Sequence, residues 1–437
     1  MGIFFSFSSI HLARYRPPLC AFRSIANAFK VNTHQRTEMT RTAETHSAKL
    51  AELLPAAAVA LLPDQQQPMP NKHHSNSNGS SSDLKRTLKR ILLDPTTVPI
   101  SDITAVMHHL LEGHASPAQT AAFLVVLRAS GRDHDPAVVA ASARVMQEHA
   151  APVPLPSFDQ NGDKFVVDIV GTGGDGHDTY NVSTTAALVA AGAGCTVAKH
   201  GNRASSSSSG SADLLEAAGC AVAAVKPEHV DAILAESGFC FLFAPTFHPA
   251  MRHVAPTRRE LGVPSLFNIL GPLGNPARPH GAVIGVYASE LAPVAVESLR
   301  LMGVRRAMVV CGREGLDEIS PAGPTDVWNL LPSGQVTTET IHPNDFGLPA
   351  HPLSSVRGGD APANAALLRT LLSGGLPRTH PIVSFVSLNA AALIYVAGQA
   401  PSMTEAVERA VTSIMEGGAM QVLDGFCART QALVQIL

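Results

Sequence analysis

Between Phe165 and Asp213 the chain reads FVVDIVGTGGDGHDTYNVSTTAALVAAGAGCTVAKHGNRASSSSSGSAD, where glycines, hydroxyls, carboxylates and a lysine crowd between two apolar strands. The run Val166, Val167, Ile169, Val170 ends in Gly171-Thr172-Gly173-Gly174-Asp175, and Ala186–Ala191 beyond it reads as a buried helix. Glycine lets backbone N–H groups approach an anion closely, and a helix N-terminus adds roughly half a positive charge. Strand, glycine loop and helix in that order make a phosphate cradle. Thr179 and the run Asn181-Val182-Ser183-Thr184 add hydroxyl and amide groups at the helix opening. Any one of them alone would serve as an ordinary N-cap; the set points to a bound anion.

Three further clusters carry chemistry. Lys199-His200-Gly201-Asn202-Arg203 follows an apolar strand, so its lysine is a point charge aimed at the crevice where α/β folds bind ligands. The serine-rich run to Gly210-Ser211-Ala212-Asp213 reads as a mobile flap over a polyanionic ligand. In Gly315-Leu316-Asp317-Glu318-Ile319-Ser320, adjacent carboxylates offer the hard oxygen ligands that Mg²⁺ prefers when phosphates complete its shell; a solvated acidic turn would have the same composition. The segment His248–Pro276 places Arg252, Arg258 and Arg259 on a helix, followed by a Gly271-Pro272 turn. One arginine can grip a substrate carboxylate bidentately while the other two face solvent. His248 and His253 have no His or Cys companion at metal spacing and are not read as ligands.

These clusters need elements to hold them. With 437 residues and 45% hydrophobic content the chain can build two or three domains with a sizeable core. No apolar run reaches the ~18–20 residues of a membrane span, so no membrane partner is expected. The net charge of −3 lacks the basic footprint of a nucleic-acid binder, so any anion must be bound locally. The six cysteines (Cys20, Cys195, Cys220, Cys240, Cys311, Cys427) are scattered without a CxxC pair and read as reduced thiols.

Residues 1–83 read as a leader and a low-complexity linker, disordered as a whole. Residues 1–37 hold five basic and no acidic side chains, as an organelle presequence or a non-structural leader would; otherwise the protein is expected in the cytoplasm. Helices are expected from Asp83, from Ser101, from the capping box Ser116-Pro117-Ala118-Gln119, and over Ala137–His149 after Asp135-Pro136. They form a small helical domain over 84–160 with no evident chemistry; His108, His109 and His114 are surface or loop histidines. Over 161–437 short strands alternate with helices, an α/β pattern. Strands are expected at Phe165–Val170, Cys195–Lys199, Phe239–Phe243, Ala282–Tyr287 and Ala307–Val310. Helices are expected at Ser211–Ala218, Glu228–Glu236, Ala250–Leu261, Leu291–Met302, Ala390–Ala397 and Met403–Glu416.

Taken together, GTGGD, NVST, KHGNR, SGSAD, HPAMRHVAPTRRELG, FNILGPLGNP and DEIS, in that order, resemble the anthranilate phosphoribosyltransferases of tryptophan biosynthesis from about Leu84 onward. The resemblance implies an α/β fold in which a small N-terminal helical domain, joined by part of 246–272, accompanies a larger α/β domain with a central, mainly parallel sheet. It also implies a homodimer, Mg²⁺ as cofactor, and transfer of the phosphoribosyl group of 5-phosphoribosyl-1-pyrophosphate to the amine of anthranilate. Carried over by position, Gly171, Gly174, Asp175, Thr179, Asn181, Val182, Ser183, Thr184, Lys199 and Ser211 would hold the sugar pyrophosphate, with His200 and Gly201 beside Lys199. Ser183, Asp317 and Glu318 would bind Mg²⁺, and Lys199, Asp317 and Glu318 would carry the catalytic electrostatics. Asn202 and Arg258 would take anthranilate, lined by Gly171, Gly271 and Pro272. The flap departs from the family at Ser208, where many relatives carry a basic residue. Two other readings are a pyrimidine nucleoside phosphorylase, less in need of the paired carboxylates, and a catalytically idle nucleic-acid-binding relative, at odds with the acidic charge.

Overall fold

The computed structural model describes residues 80–158, 165–204 and 208–436, so the expected leader and nearly all of the linker lie outside the described residues. Helix α1 (Ser80–Leu93) ends before Pro95, as the proline requires. Helix α2 (Ile100–Leu111) opens directly after Pro99 rather than at Ser101, because Pro99 is extended and acts as the N-cap itself. Helix α3 (Pro117–Ala129) has the expected capping box: Gln119 N–H donates to Ser116 Oγ (3.3 Å) and Ser116 N–H to Gln119 Oε1 (2.9 Å). Asp135 caps helix α4 (Pro136–Glu148). Ile103, Met107, Leu110, Phe123, Leu127 and Val139 point inward and share one core with Val254, Leu266 and Leu270 from later in the chain.

The remaining elements run β1 (Val166–Gly171), α5 (Val182–Gly192), β2 (Thr196–Gly201), α6 (Ser211–Ala217), α7 (Val230–Ser237), β3 (Phe239–Phe243), α8 (Ala244–Phe247), α9 (Ala255–Leu261), α10 (Leu266–Leu273), β4 (Gly281–Gly285), α11 (Leu291–Met302) and β5 (Arg306–Gly312). They are followed by β6 (Thr325–Leu330), β7 (Val336–Ile341), α12 (Ala361–Leu372), α13 (Pro381–Val396), α14 (Met403–Met415) and α15 (Gly418–Ile436). The sheet order is β3-β2-β1-β4-β5-β6-β7; β1 to β5 are parallel, and β6 and β7 are antiparallel. The order reverses between β1 and β4, so their C-terminal ends flank a crevice where this kind of sheet binds ligands.

Several elements differ from the sequence expectation. The hairpin β6–β7 was not expected: β6 (TDVWNL) is short and mixes polar with apolar residues, and the edge strand β7 (VTTETI) is largely solvent-facing and threonine-rich. Helix α13 begins nine residues before Ala390; it is buried nearly all round and shows no amphipathic period to mark its start. The expected Ala250–Leu261 helix is divided into a 3₁₀ turn, Pro249–His253, and α9. Gly271-Pro272 is not a turn: both residues sit in the last turn of α10, near enough to its end for a proline to be accommodated.

The cysteine expectation is corrected as well. Cys220 and Cys427, 207 residues apart in sequence, are joined by a disulfide, while Cys195, Cys240 and Cys311 are free and buried. Helix α15 packs beside the Val222–Ala224 turn and brings Cys427 to Cys220. Spacing along the chain carries no record of that tertiary contact.

Candidate active site

The glycine loop leaves β1 at Gly171 and runs over the end of β4, where the segment Asp317–Ser320 lies across both strands. A β-carbon at Gly171 would stand 2.3 Å from Asp317 Oδ2, and one at Gly285 only 1.6 Å from the Asp317 carbonyl oxygen. Both strands must end in glycine for the acidic loop to lie there. Gly173 N–H donates to Asp317 Oδ2 at 2.6 Å, tying phosphate loop to carboxylate loop. Gly173 and Gly174 both have positive φ, and Gly174 is exposed on the open side of the loop. Asn389, buried on α13, fixes the loop from behind, accepting from Ile319 N–H (2.9 Å) and donating to Ile319 O (3.0 Å).

The electrostatics of this meeting point are those of a cation site. Asp317 and Glu318 are each 8% exposed. Burial, then the charge of Asp175, pushes Asp317 up to about 7. Burial and the neighbouring Asp317 hold Glu318 well above the usual carboxylate range, opposed by Lys199 and by a hydrogen bond from Ser183 at the start of α5. Carboxylates crowded and desolvated in this way gain most from a bound dication, and with the Ser183 hydroxyl they offer the hard oxygen set that suits Mg²⁺. Asp175 Oδ1 accepts from His177 N–H within its own loop (3.1 Å).

Lys199 does not project freely into the crevice. It is 1% exposed, and its Nζ donates to Ile169 O at 2.6 Å. Burial lowers its pKa, opposed by Asp168 and Glu318. Asp168, mid-strand on β1, is pushed up to about 6 by burial while Lys199, Asn275 and the His200 N–H counteract this. Asn275 Nδ2 bridges Asp168 Oδ2 and Ala198 O, both at 2.8 Å. A charged residue in the middle of the apolar run VVDIV was the visible signal for Asp168, and an asparagine inside the apolar helix SLNAAAL the signal for Asn389. Neither is among the site residues expected from sequence.

At the opening of α5 the Asn181 side chain makes no capping bond. Its Nδ2 donates instead to Ser209 O (2.7 Å), and its Oδ1 accepts from Asn364 Nδ2 on α12 (2.9 Å). Asn181 therefore anchors the far end of the serine flap. Val182 and Thr184 are buried, and the Thr184 and Thr172 hydroxyls have no hydrogen-bond partner among the described residues. Thr179, half-buried, bridges to Arg357. Gly201 ends β2 against the Phe241 ring, where a β-carbon would come within 2.7 Å, and Ser211 starts α6 beside it. Arg203 is bound to Glu216 and to Asp213 (3.3 Å), and Asp213 also receives Ala204 N–H and Gly210 N–H across the flap. Ser208 lies within the flap, just past residues 205–207, which are outside the described set.

Near the end of β2, His200 meets His248 at the C-cap of α8 and the backbone of α10. His200 and His248 are buried with ring centroids 4.9 Å apart, and neither Nε2 has a hydrogen-bond partner among the described residues. Burial brings His200 down to about 3 and His248 to about 4, so both rings are neutral near pH 7. His200 bonds to the Gly271 backbone. Open space surrounds the position of a Gly271 β-carbon, while Pro272 is buried. Arg258 alone of the three arginines is half-buried, its guanidinium 5.1 Å from the Phe267 ring centroid; Arg252 and Arg259 are exposed. No carboxylate pairs with Arg258 among the described residues, and burial lowers its pKa. Asn202 stands exposed, accepting from Arg203 N–H (2.8 Å).

A glycine loop at the switch point of a parallel sheet, with buried paired carboxylates beside it, suits an enzyme that takes a phosphorylated substrate together with a divalent cation. The chain matches the α/β domain of a glycosyl transferase family over residues 163–420 and the helical bundle domain of such a family over 87–150. It is 45% identical over 334 residues to anthranilate phosphoribosyltransferase of Schizosaccharomyces pombe, covering 76% of this chain and 93% of that protein. It is 44% identical to the Herpetosiphon aurantiacus enzyme, covering 75% and 93%. The solved structure of anthranilate phosphoribosyltransferase from Saccharomyces cerevisiae in complex with PRPP and Mg superposes with a TM-score of 0.74 at 34% identity, over 80% of this chain and 98% of that one. That from Thermus thermophilus gives 0.72 at 41% identity, over 79% and 99%. The chain belongs to the anthranilate phosphoribosyltransferase family.

Proposed function

We propose that the protein transfers the phosphoribosyl group of 5-phosphoribosyl-1-pyrophosphate to the amine of anthranilate, releasing pyrophosphate, with Mg²⁺ as cofactor. The observation that carries this reading is the buried Asp317–Glu318 pair laid across Gly171 and Gly173, with the Ser183 hydroxyl on Glu318. Ser183, Asp317 and Glu318 hold the metal. When bound, Mg²⁺ supplies positive charge against the departing pyrophosphate. Gly171, Gly174, Asp175, Thr179, Asn181, Val182, Ser183, Thr184 and Ser211 cradle the sugar pyrophosphate, the loop N–H groups and the α5 N-terminus meeting its oxygens. Lys199 adds positive potential from beneath, with one N–H spent on Ile169 O and the others free to point toward the site.

Anthranilate enters on the other side of Gly171, where Arg258 meets its carboxylate and Asn202, Gly271 and Pro272 line the approach, beside His200 and Gly201. The neutral His200 and His248 rings suit an aromatic ligand better than imidazolium charges would. An aryl amine attacks without prior deprotonation, so orientation is asked to do more than any general base. Lowered turnover without added Mg²⁺, restored on its addition, supports the metal assignment; Mg²⁺-independent turnover refutes it.

We take the helical domain as 84–160, joined by part of 246–272, and the α/β domain as 161–437. A homodimer is supported by the exposed apolar side chains Leu92, Leu93 and Val125 on α1 and α3, which a second copy would cover. Light scattering at twice the chain mass is expected, and a monomer at micromolar concentration contradicts it. Among the described residues, no helix is long and apolar enough to cross a membrane.

A further inference from the structure

The C-terminal ends of α2 and α4 bring together side chains that the transfer reaction does not use. His108 lies in the last turn of α2, Glu112 follows one helical turn later at its C-cap, and His149 is the C-cap of α4. His108 Nδ1 and His149 Nε2 are 2.9 Å apart, with the rings tilted by 59°. In the group formed by His108, Glu112 and His149, one ligand atom from each lies within 4.8 Å of the others. Two imidazole nitrogens on one ion at ~2.0–2.1 Å stand about 2.9–3.4 Å apart for bond angles from square to tetrahedral. The pair therefore needs to open by a few tenths of an ångström at most. Glu148 lies behind the far nitrogen of His108, its Oε2 3.8 Å from His108 Nε2. That is the place of the outer carboxylate that orients a metal-bound histidine.

We propose that His108, Glu112 and His149 form a binding site for a divalent transition metal of the zinc type, which clips the end of α2 to the end of α4. Two imidazoles and one carboxylate select zinc-type ions over Mg²⁺, and the half-exposed position leaves a fourth coordination place to water. His114 holds the other role at Glu112: its Nδ1 is 3.1 Å from Glu112 Oε2. His109, Glu112 and His114 also bring one ligand atom each within 4.8 Å of one another, but the two rings stand 6.1 Å apart at the centroids, and of these histidines only His108 and His149 join ring nitrogen to ring nitrogen at hydrogen-bond length. The clip sits beside the joint between bundle and sheet domain. Gln147, two residues before His149, donates to Leu273 O (3.1 Å) and Asn275 O (3.2 Å), and Ala151 N–H reaches Phe247 O (2.8 Å).

The test is calorimetric titration of the full chain with Zn²⁺ in excess Mg²⁺, which keeps the carboxylate site occupied. One Zn²⁺ per chain is expected, weakened ~100-fold or more by His108→Ala or His149→Ala, since loss of an outer partner alone costs 10–100-fold. Binding should be unchanged by Asp317→Asn. Co²⁺ in place of Zn²⁺ should give a visible spectrum without a thiolate charge-transfer band, a reading made on the unaltered protein that does not depend on any variant folding. Absence of binding, a thiolate band, affinity indifferent to His108 and His149, or loss on His114→Ala with His149→Ala harmless would each overturn the proposal.

Discussion

Asp317 and Glu318 are buried side by side against a third carboxylate, an arrangement costly to maintain unless a dication is to be bound there. Asp317→Asn combined with Glu318→Gln should cost ~10²-fold or more in kcat, the scale of losing one strong electrostatic stabiliser. Steady-state rates over a Mg²⁺ titration check it, and undiminished kcat would remove both residues from the metal site. Arg258→Ala should raise the KM for anthranilate far more than that for the phosphoribosyl donor; the reverse pattern would move the arginine to the other substrate. Asp168 gives the pH dependence. Its folded pKa of about 6 lies above the unfolded value of about 3.9, so the stability tied to its neutral form is complete below pH ~4 and lost as pH rises through about 6, a difference on the order of 3 kcal/mol. Thermal midpoints of the metal-free protein should fall over that window and on through pH ~7, where the raised Asp317 loses its proton as well, and Asp168→Asn should remove the lower part of the fall. At this scale the sequence displayed the groups that face the ligand, since a glycine loop, a KHGNR run and adjacent carboxylates are local patterns. It did not display Asp168, Asn275 and Asn389 as site residues, because their work is to bind side chains and backbone groups 70 to 107 residues away along the chain.

The elements are fixed in place by close approach at the strand ends. Gly285 lies under the Asp317 carbonyl with no room for a β-carbon, so Gly285→Ala must displace the carboxylate loop, at more than the ~1–3 kcal/mol typical of overpacking. Weakened Mg²⁺ binding together with a lowered thermal midpoint is expected, and wild-type metal affinity would show that the loop is not held as described. Helices α3 and α4 were legible because Ser116-Pro117 and Asp135-Pro136 state their own starts in a few residues. Strand β7 and the first nine residues of helix α13 were not, for opposite reasons: one buries too little apolar surface to leave a pattern, the other too much to leave a period. The Gly271-Pro272 pair shows the limit of reading punctuation alone. Its residues allow a turn, but the packing of α10 against α4 keeps it helical.

For the whole molecule, the sheet reversal at β1 and β4 gathers segments from residues 171 to 318 into one crevice, and the disulfide Cys220–Cys427 ties α15 to the body. Under denaturing, non-reducing conditions a thiol reagent should label Cys195, Cys240 and Cys311 and leave Cys220 and Cys427 unlabelled; labelling of Cys220 and Cys427 would mean that the bond does not form in the isolated protein. The general plan, helical bundle plus mainly parallel α/β domain, follows from the rhythm of apolar segments, whereas strand order and the disulfide are tertiary outcomes that no local pattern encodes. The central claim is the transfer of a phosphoribosyl group to anthranilate. Its most direct measurement is anthranilate fluorescence in purified protein with Mg²⁺ and 5-phosphoribosyl-1-pyrophosphate. The account predicts loss of fluorescence that needs both the donor and Mg²⁺ and releases one pyrophosphate per anthranilate consumed. Unchanged fluorescence, with phosphate-dependent cleavage of a pyrimidine nucleoside by the same preparation, would contradict it.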